Sequence, residues 1–325
     1  MTTARPFMPR AKARAIARAN HISTTRFMLS ALMALVLGFI ALTVGTTRAR
    51  AEEAAPNPGL WKLTDEDSEV WLFGTVHILN PNLKWRNEAI DNAFLHADIF
   101  YSEAPVVEAD EKVMKPLIAK YGVNQTGTSF LTRLSAQGSV DLNTTIKNLG
   151  LPEAIKQQFA VYRPWLAGVT LGALQVQSRG GDPEAGVDKI LWREAKVLGK
   201  DLRYFETMEE QISLFGGMTM ADELAFFESG LRQMIEDPDL LDEVTQDWRA
   251  GRVEALGEKL NGAMVGQAGL KTLLLDDRNK KWAKDIKKLM DGAGTAFIAV
   301  GAGHLAGEGS LQDQLADLGL VAVRQ

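Results

Sequence analysis

The stretch Val70-Trp71-Leu72-Phe73-Gly74-Thr75-Val76-His77 joins an apolar run, typical of a β-strand, to a glycine turn that ends in histidine. The same pattern returns near the carboxyl terminus, where residues 295–300 (TAFIAV) are followed by Gly301-Ala302-Gly303-His304. Aromatic and β-branched residues favour strands in both runs, and a glycine directly after a strand lets the chain turn sharply. The sequence therefore predicts two strand–GxxH units, one near each end of the same domain.

Two glutamates directly follow two further predicted strands. Glu103 comes after residues 98–102 (DIFYS), and Glu206 comes after residues 202–205 (LRYF). In α/β sheets the turns at the carboxyl ends of the strands converge on one crevice, where catalytic and ligand-binding groups gather. We therefore expect both glutamates and both GxxH histidines to meet at one edge of a sheet.

The order of the predicted elements indicates an α/β fold, in which helices cover a central β-sheet. Residues 60–63 and 70–73 flank an acidic turn and are typical of a hairpin. Strands separated by helical patterns favour helices packed on a sheet. The helical patterns lie at residues 84–96, 108–175, 187–198, 207–289 and 311–318, and the last strand is predicted at 320–323.

Residues 60–325 are predicted to form one domain, because no linker rich in Ser, Gly or Pro divides them. The polar, proline-containing residues 52–59 are predicted to be a linker that leads into this domain. The long helical stretch at 207–289 indicates a large helical insertion rather than an independent domain.

The first 51 residues have the layout of a secretory signal peptide. They contain eight basic residues and no acidic one, and residues 27–45 form an uncharged apolar run of 19 residues. Ala49-Arg50-Ala51 then predicts cleavage before Glu52. An uncleaved N-terminal membrane anchor is the alternative, because about 20 apolar residues cross a bilayer. Both interpretations place the rest of the chain outside the cytoplasm, either in the periplasm or held on the outer side of the cytoplasmic membrane.

Composition excludes several classes of function. The chain has no cysteine, which rules out disulfides and a thiol nucleophile. Its net charge is -5, and setting aside the eight bases of residues 1–51 leaves -13. A domain this acidic is a poor candidate for binding nucleic acid, because phosphates require clustered Lys and Arg. The motifs GxSxG, GxxxxGK[ST] and HExxH are also absent.

The expected cluster has the composition of a metal-assisted hydrolytic site. Two imidazoles and one or two carboxylates suit a divalent ion such as Mn, Co or Zn. Such an ion polarises a carbonyl group and activates water. In this scheme His77 and His304 are metal ligands, Glu103 is a ligand or general base, and Glu206 has a further catalytic role. Arg278, at the start of a lysine-rich helix, is predicted to hold a substrate carboxylate or to pair with Glu103.

Each of these residues also has an alternative interpretation. A histidine after a strand often only bonds to the backbone, and Glu103 could simply lie near a helix N-terminus. Glu206 precedes Thr207-Met208-Glu209-Glu210, which is typical of a capping box. For Arg278 and the lysines after it, the alternative is a solvated helix face. His96 lies inside a predicted helix, and we expect it to be a partly buried structural residue.

Taken in order, these motifs resemble the TraB/GumN family. They are the strand–GTVH unit, Ser102-Glu103, Gly186-Val187-Asp188, Tyr204-Phe205-Glu206-Thr207 with Gln211, Asp277-Arg278-Asn279, and Ala299-Val300-Gly301-Ala302-Gly303-His304-Leu305 with Gly307 and Gly309. The resemblance covers about residues 60–325, and the paired GxxH motifs are its most specific part.

The resemblance implies metal-dependent peptide hydrolysis, because the family is related to Tiki, a membrane-tethered animal protease that needs Mn or Co. Carried over to this sequence, it implies that His77, His304 and Glu103 do the chemistry on a peptide or protein substrate. Other members are linked to plasmid pheromone shutdown and to polysaccharide gene clusters, which fixes no chemistry. The rival hypothesis is a non-catalytic periplasmic protein that binds a peptide or small ligand in the same crevice.

Overall fold

The computed structural model describes residues 55–263 and 268–325. The predicted signal peptide or anchor, residues 1–51, lies outside the described residues. Within the described ranges, no helix has the length and apolar character needed to cross a membrane. Residues 55–59, the described part of the predicted linker, belong to neither a helix nor a strand.

A six-stranded mixed sheet forms the centre of the fold, in the order β4-β3-β5-β2-β1-β6. Its strands are β1 Leu60–Thr64, β2 Ser68–Thr75, β3 Ile99–Ser102, β4 Asp201–Tyr204, β5 Gly294–Gly301 and β6 Val323–Arg324. β1 and β2 form the predicted antiparallel hairpin, whereas β2, β5, β3 and β4 run parallel to one another. The predicted α/β class is confirmed, and four carboxyl strand ends lie at one edge of the sheet.

β5 lies between β2 and β3 because it can be buried on both faces. Every residue of this strand from Ala296 onward is buried, as is typical of a strand in the middle of a parallel sheet. Phe297 packs against Phe73 and Phe94 on one face, with ring centroids 5.7 and 5.5 Å away. Ile298 belongs to the apolar cluster on the opposite face. Complete burial of one such side chain contributes about 1.5–3 kcal/mol.

Helices cover both faces of the sheet. In chain order they are α1 Glu88–His96, α2 Glu111–Tyr121, α3 Ala136–Asn148, α4 Ile155–Phe159, α5 Pro164–Ser178, α6 Val187–Val197, α7 Met208–Gly216, α8 Met220–Glu236, α9 Leu240–Ala250, α10 Val253–Ala263, α11 Ala268–Lys271, α12 Asp277–Met290 and α13 Leu311–Ala316. Short 3-10 turns lie at Phe130–Arg133, Pro183–Ala185 and Ala302–Leu305, and a π-helical turn, Thr272–Asp276, joins α11 to α12.

Helices from two separate stretches of the chain pack together. Helices α2 to α5 lie between β3 and β4, and helices α7 to α11 lie between β4 and β5. Trp165 of α5 stacks on Phe215 of α7 with 5.3 Å between ring centroids, and Phe227 of α8 meets Phe130 edge to face. The predicted helical insertion at 207–289 is therefore packed together with helices from the earlier stretch.

Among the predicted boundaries that differ from the observed ones, two have a clear local cause. Helix α1 begins at Glu88 rather than at residue 84, because the side chain of Asn87 accepts a hydrogen bond from the amide of Ile90 and caps the helix there. The last strand is only Val323–Arg324. The chain before it is still held in the turn after α13, where the Leu320 amide donates to the carbonyl oxygen of Leu315.

The expectation for His96 is wrong. This residue ends α1 and is exposed to solvent rather than partly buried. Its Nδ1 lies 2.7 Å from the carbonyl oxygen of Asn92, one helical turn earlier. Sequence patterning identified the helix but not the side of it on which His96 lies.

Candidate active site

The register of the parallel strands brings the predicted site residues to one edge. Thr75 is aligned with Gly301, and Ser102 is aligned with both Ala299 and Tyr204. The residues that follow these strand ends therefore lie side by side. They are His77 after β2, Glu103 after β3, Glu206 after β4 and His304 after β5.

Arg278, in the first turn of α12, is the centre of a buried ion network. Its Nη2 donates to Glu103 Oε2 at 2.6 Å, and its Nε donates to Glu206 Oε1 at 2.9 Å. Its Nη1 lies 3.0 Å from His304 Nε2 and 2.9 Å from the carbonyl oxygen of Leu274. The predicted pairing of Arg278 with Glu103 is confirmed. Arg278 is buried, unlike the exposed lysines of the same helix.

Glu103 is buried and fully hydrogen-bonded. Its Oε1 accepts from the backbone N–H of Gly301 at 2.6 Å, and its Oε2 also accepts from Gln211 Nε2 at 3.1 Å. Burial alone raises the pKa of this carboxyl, but the Arg278 charge, followed by the two histidines and the Gly301 hydrogen bond, outweighs burial and lowers the pKa from 4.5 to about 2. Glu103 is therefore ionised at any physiological pH.

His304 is buried and bonded at both ring nitrogens. Its Nδ1 lies 2.6 Å from Asn279 Oδ1 and its Nε2 faces Arg278, while the ring packs on Trp282 at 4.4 Å between centroids. Burial, followed by the positive charge of Arg278, lowers its pKa from 6.5 to about 3. The neutral ring therefore donates from Nδ1 to Asn279 and accepts at Nε2 from Arg278.

His77 is paired with a carboxylate instead. Its Nδ1 donates to Asp188 Oδ1 at 2.9 Å, and Asp188 lies in the first turn of α6. Gly186, the residue directly before α6, contacts the GxxH turn so closely that a Cβ there would lie 2.3 Å from the carbonyl oxygen of His77. The Val187 amide donates to the carbonyl oxygen of Val76 at 2.9 Å, which fixes α6 against the turn.

A small recess connects His77 with Glu103. Both side chains line it, together with Asp188, Ser102 and Trp192. The space holds about one water molecule. His304 also lies near Glu103, with its Nε2 3.7 Å from Glu103 Oε1.

Glu206 is buried in the ion network, and the capping box predicted directly after it is confirmed. Thr207 and Glu210 form the predicted capping box at the start of α7. The Glu206 side chain is nonetheless buried and binds Arg278 with both carboxylate oxygens. Its neighbour in the sequence therefore caps the helix, while Glu206 itself belongs to the ion network.

A comparison with models of protein families identifies the family of this chain. The model of the TraB/PrgY/gumN family matches residues 59–324, which is most of the sequence. The chain belongs to this family. Similar proteins are YbaP of Escherichia coli (strain K12) and YbaP of Shigella flexneri, both described as uncharacterized. Each is 25% identical over 245 residues, covering 75% of this chain and 86% of the relative. No solved structure matches the chain significantly.

Sequence reasoning assigned no role to three residues that complete the site of this TraB/PrgY/gumN family member. Asp188, Asn279 and Gln211 hold the side chains of His77, His304 and Glu103, respectively. All three lie in motifs that carried the family resemblance. Their roles depend on which residues meet across distant parts of the chain, and only the packing of α6, α7 and α12 on the sheet edge reveals that.

The side chains as placed do not fit a metal ion. Within residues 55–263 and 268–325, no group of three or more His, Asp or Glu side chains is arranged to hold one. Both nitrogens of His304 and both oxygens of Glu103 already have partners. The permanent positive charge of Arg278 lies directly between these donors, and it would repel a divalent cation at that point.

Proposed function

We propose that this chain is an exported hydrolase that cleaves peptide bonds, with His77, Glu103 and His304 in its catalytic centre. One observation carries the proposal. Two GxxH histidines from opposite ends of the domain lie close to the same buried, ionised carboxylate. His77 lines a recess together with Glu103, and His304 Nε2 lies 3.7 Å from Glu103 Oε1.

The energetics of the cluster support a functional role. Glu103, Glu206 and Arg278 are buried charged groups in mutual contact. Buried ion pairs are often no more stabilising than apolar residues of similar volume. Groups with strongly shifted pKa values that gather at a cleft are typical of catalytic sites.

The roles of the three residues follow from their contacts. With a pKa of about 2, Glu103 is a weak base, and we assign it to holding Arg278 rather than to taking a proton. His304 is bonded at both nitrogens and completes the electrostatic environment. We assign proton transfer to His77, because it lines the recess and Asp188 orients its ring.

In this scheme His77 accepts a proton from a water molecule in the recess. The water oxygen forms a bond to the carbonyl carbon of the peptide, and the C–N bond breaks. The protonated His77 then donates the proton to the leaving amine, which restores the neutral ring. A positioned general base of this kind contributes about 10²–10⁴-fold to the rate.

Metal dependence remains a prediction that rests on the family resemblance. A Mn, Co or Zn ion at His304 requires Arg278 to move away from Nε2. No step of the scheme above passes through a metal. The assay therefore includes each of the three ions and a chelator as separate arms.

The proposed place of action is outside the cytoplasm. The basic, then apolar, then small-residue pattern of residues 1–51 supports export. The acidic domain that follows suits a peptide or protein substrate rather than a nucleic acid. The mass of the chain recovered from cells separates the two modes of export: a start at Glu52 indicates release, and an intact N-terminus indicates anchoring.

Peptide cleavage tests the proposal. The full chain, kept in mild detergent because of the apolar run at 27–45, is incubated with a mixed peptide library and the products are read by mass spectrometry. The wild type is expected to yield new termini that His77→Ala does not. Retention of intact peptides without cleavage would instead favour the rival hypothesis of a binding protein. If the chain shows no cleavage and retains no peptide, both hypotheses are contradicted.

A further inference from the structure

We infer that Arg278 occupies the position of a metal ion between His304, Glu103 and Glu206, so that this centre contains a guanidinium where a divalent cation would otherwise bind. The inference concerns the same centre as the proposed hydrolase. It rests on the contacts of Arg278 and is read by metal binding, so it can fail or hold independently of peptide cleavage.

The donors around Arg278 are those that transition metals prefer. Two carboxylates and one imidazole nitrogen point at the guanidinium from three sides, at 2.6 Å for Glu103, 2.9 Å for Glu206 and 3.0 Å for His304. They come from the ends of three parallel strands, so the fold itself brings them together. Carboxylate and imidazole are common ligands of Zn and related ions.

The spacing of the donors is also close to that of a metal site. His304 Nε2 and Glu103 Oε1 lie 3.7 Å apart. Two ligands of a tetrahedral Zn, each roughly 2.0–2.2 Å from the ion, are separated by roughly 3.3–3.5 Å. The oxygen in this pair is not the one that faces Arg278, and it accepts from the Gly301 amide. With the guanidinium removed, a small adjustment that releases Oε1 from this amide would let both groups bind one ion.

The guanidinium of Arg278 makes enough contacts to fix its position at this centre. All five of its N–H groups have acceptors, which are Glu206, Glu103, His304 and the carbonyl oxygen of Leu274. Its plane also lies 4.5 Å from the Trp282 ring. A metal ion would have to displace each of these bonds at once.

The backbone before Arg278 contributes to its placement. The turn Thr272–Asp276 is π-helical, and the amide of Asp277 donates to the carbonyl oxygen of Thr272. The carbonyl oxygen of Leu274, within this turn, accepts from Arg278 Nη1. Single π-helical turns often mark functional sites, and this one supplies the fourth acceptor of the guanidinium.

Metal binding by matched variants tests the inference. The full-length wild type, Arg278→Met, Arg278→Gln and the exposed control Lys284→Met are dialysed against Mn, Co or Zn separately, and retained metal is counted by elemental analysis. Circular dichroism establishes that each variant is folded. His304→Ala is added to the wild type and to Arg278→Met to locate any bound ion.

The wild type and Lys284→Met are expected to retain no ion that depends on His304. Arg278→Met or Arg278→Gln is expected to retain about one ion per chain, and to lose it when His304→Ala is added. An ion in the wild type that survives His304→Ala is bound elsewhere and agrees with the inference. An ion in Arg278→Met that survives His304→Ala is also bound elsewhere, and it counts as no ion at this centre.

Two results would overturn it. One is a wild type that retains one ion per chain and loses it in His304→Ala. The other is a folded Arg278→Met and Arg278→Gln pair that retains no ion, because the donors would then not form a latent metal site. If neither Arg278→Met nor Arg278→Gln folds, the wild type and His304→Ala decide the inference: an ion that depends on His304 overturns it, and the absence of such an ion supports it.

Discussion

The two GxxH turns share a sequence pattern but differ in their surroundings. His304 is bonded to Asn279 and Arg278, whereas His77 is bonded to Asp188 and lines a recess. In each case a residue in the first turn of a helix orients Nδ1 of the histidine, but the orienting side chain is neutral in one turn and acidic in the other. A repeated motif thus places two rings at one sheet edge without giving them the same role.

The largest expected effect is on catalysis at the His77 side. His77→Ala is expected to lower the turnover of a cleaved peptide by about 10²–10⁴-fold, because the proton acceptor is lost. Asp188→Asn should also lower turnover and leave KM nearly unchanged, because the carboxylate holds the His77 tautomer and stabilises the protonated ring. Rates are measured on one peptide chosen from the library.

His96→Gln is the control for these rates, because His96 is exposed and belongs to no site. It is expected to cleave the peptide like the wild type. Equal turnover in His77→Ala and the wild type would mean that another group transfers the proton. His77 and His304 would then no longer differ in the role proposed for them.

On the His304 side, the expected effect is mainly on stability. Arg278→Ala leaves Glu103 and Glu206 buried without their partner, which is expected to lower the free energy of unfolding by about 3–5 kcal/mol. Lys284→Ala on the exposed face of the same helix is the control and should change it by less than about 0.5 kcal/mol. Urea unfolding measures both, and a loss near that of the control would mean that the network is not held as described.

Acid should lower the free energy of unfolding through two buried groups, His304 and Glu103. The folded pKa of His304, about 3, lies below its ordinary 6.5, so the unfolded chain binds the additional proton and stability falls as the pH drops from about 6.5 to 3. The folded pKa of Glu103, about 2, lies below 4.5, so its contribution is present above pH 4.5 and is lost as the pH falls toward 2. Both changes have the same sign, so the free energy of unfolding should fall continuously as the pH drops from about 6.5.

Urea unfolding across pH 7 to 3 measures this dependence. His304→Gln should have a flatter profile between pH 6.5 and 4.5, where Glu103 does not yet contribute. His96→Gln should keep the wild-type slope, because that ring is exposed. Identical slopes in all three proteins would contradict the buried, neutral state of His304.

The smallest effect concerns the contact that positions His77. Gly186→Ala places a Cβ against the carbonyl oxygen of His77, and overpacking of this kind costs about 1–3 kcal/mol. Gly262→Ala, in α10 with open space around it, is the matched control and should be neutral or slightly stabilising. Thermal unfolding distinguishes them. No loss in Gly186→Ala would mean that α6 is not held against this turn.

The sequence predicted the sheet edge at the carboxyl ends of the parallel strands well, because the end of a strand is marked by the residues next to it in the chain. The apolar runs before Gly74, Glu103, Glu206 and Gly301 each end where the pattern placed them, within a residue or two. The rule that such ends converge then placed the candidate residues together. The family resemblance, which the comparison confirms, used the same segments.

The partners within the site could not be predicted in the same way. Whether Arg278 faces solvent or the network depends on how α12 rotates against the sheet, and local patterning left both possibilities open. Asp188 and Asn279 meet their histidines only through contacts between distant segments. The burial of His96 was mispredicted for a related reason, since a position near a helix end can lie on either face.

The most direct test of a single shared centre is a double-mutant comparison of peptide turnover in the wild type, His77→Ala, His304→Ala and the double variant. Residues that act as one unit are strongly non-additive. If both histidines serve one centre, folded His304→Ala also lowers turnover on its own, and the double variant loses little more activity than His77→Ala alone. Losses that multiply in the double variant would show that the two histidines act independently, and would contradict a shared catalytic centre.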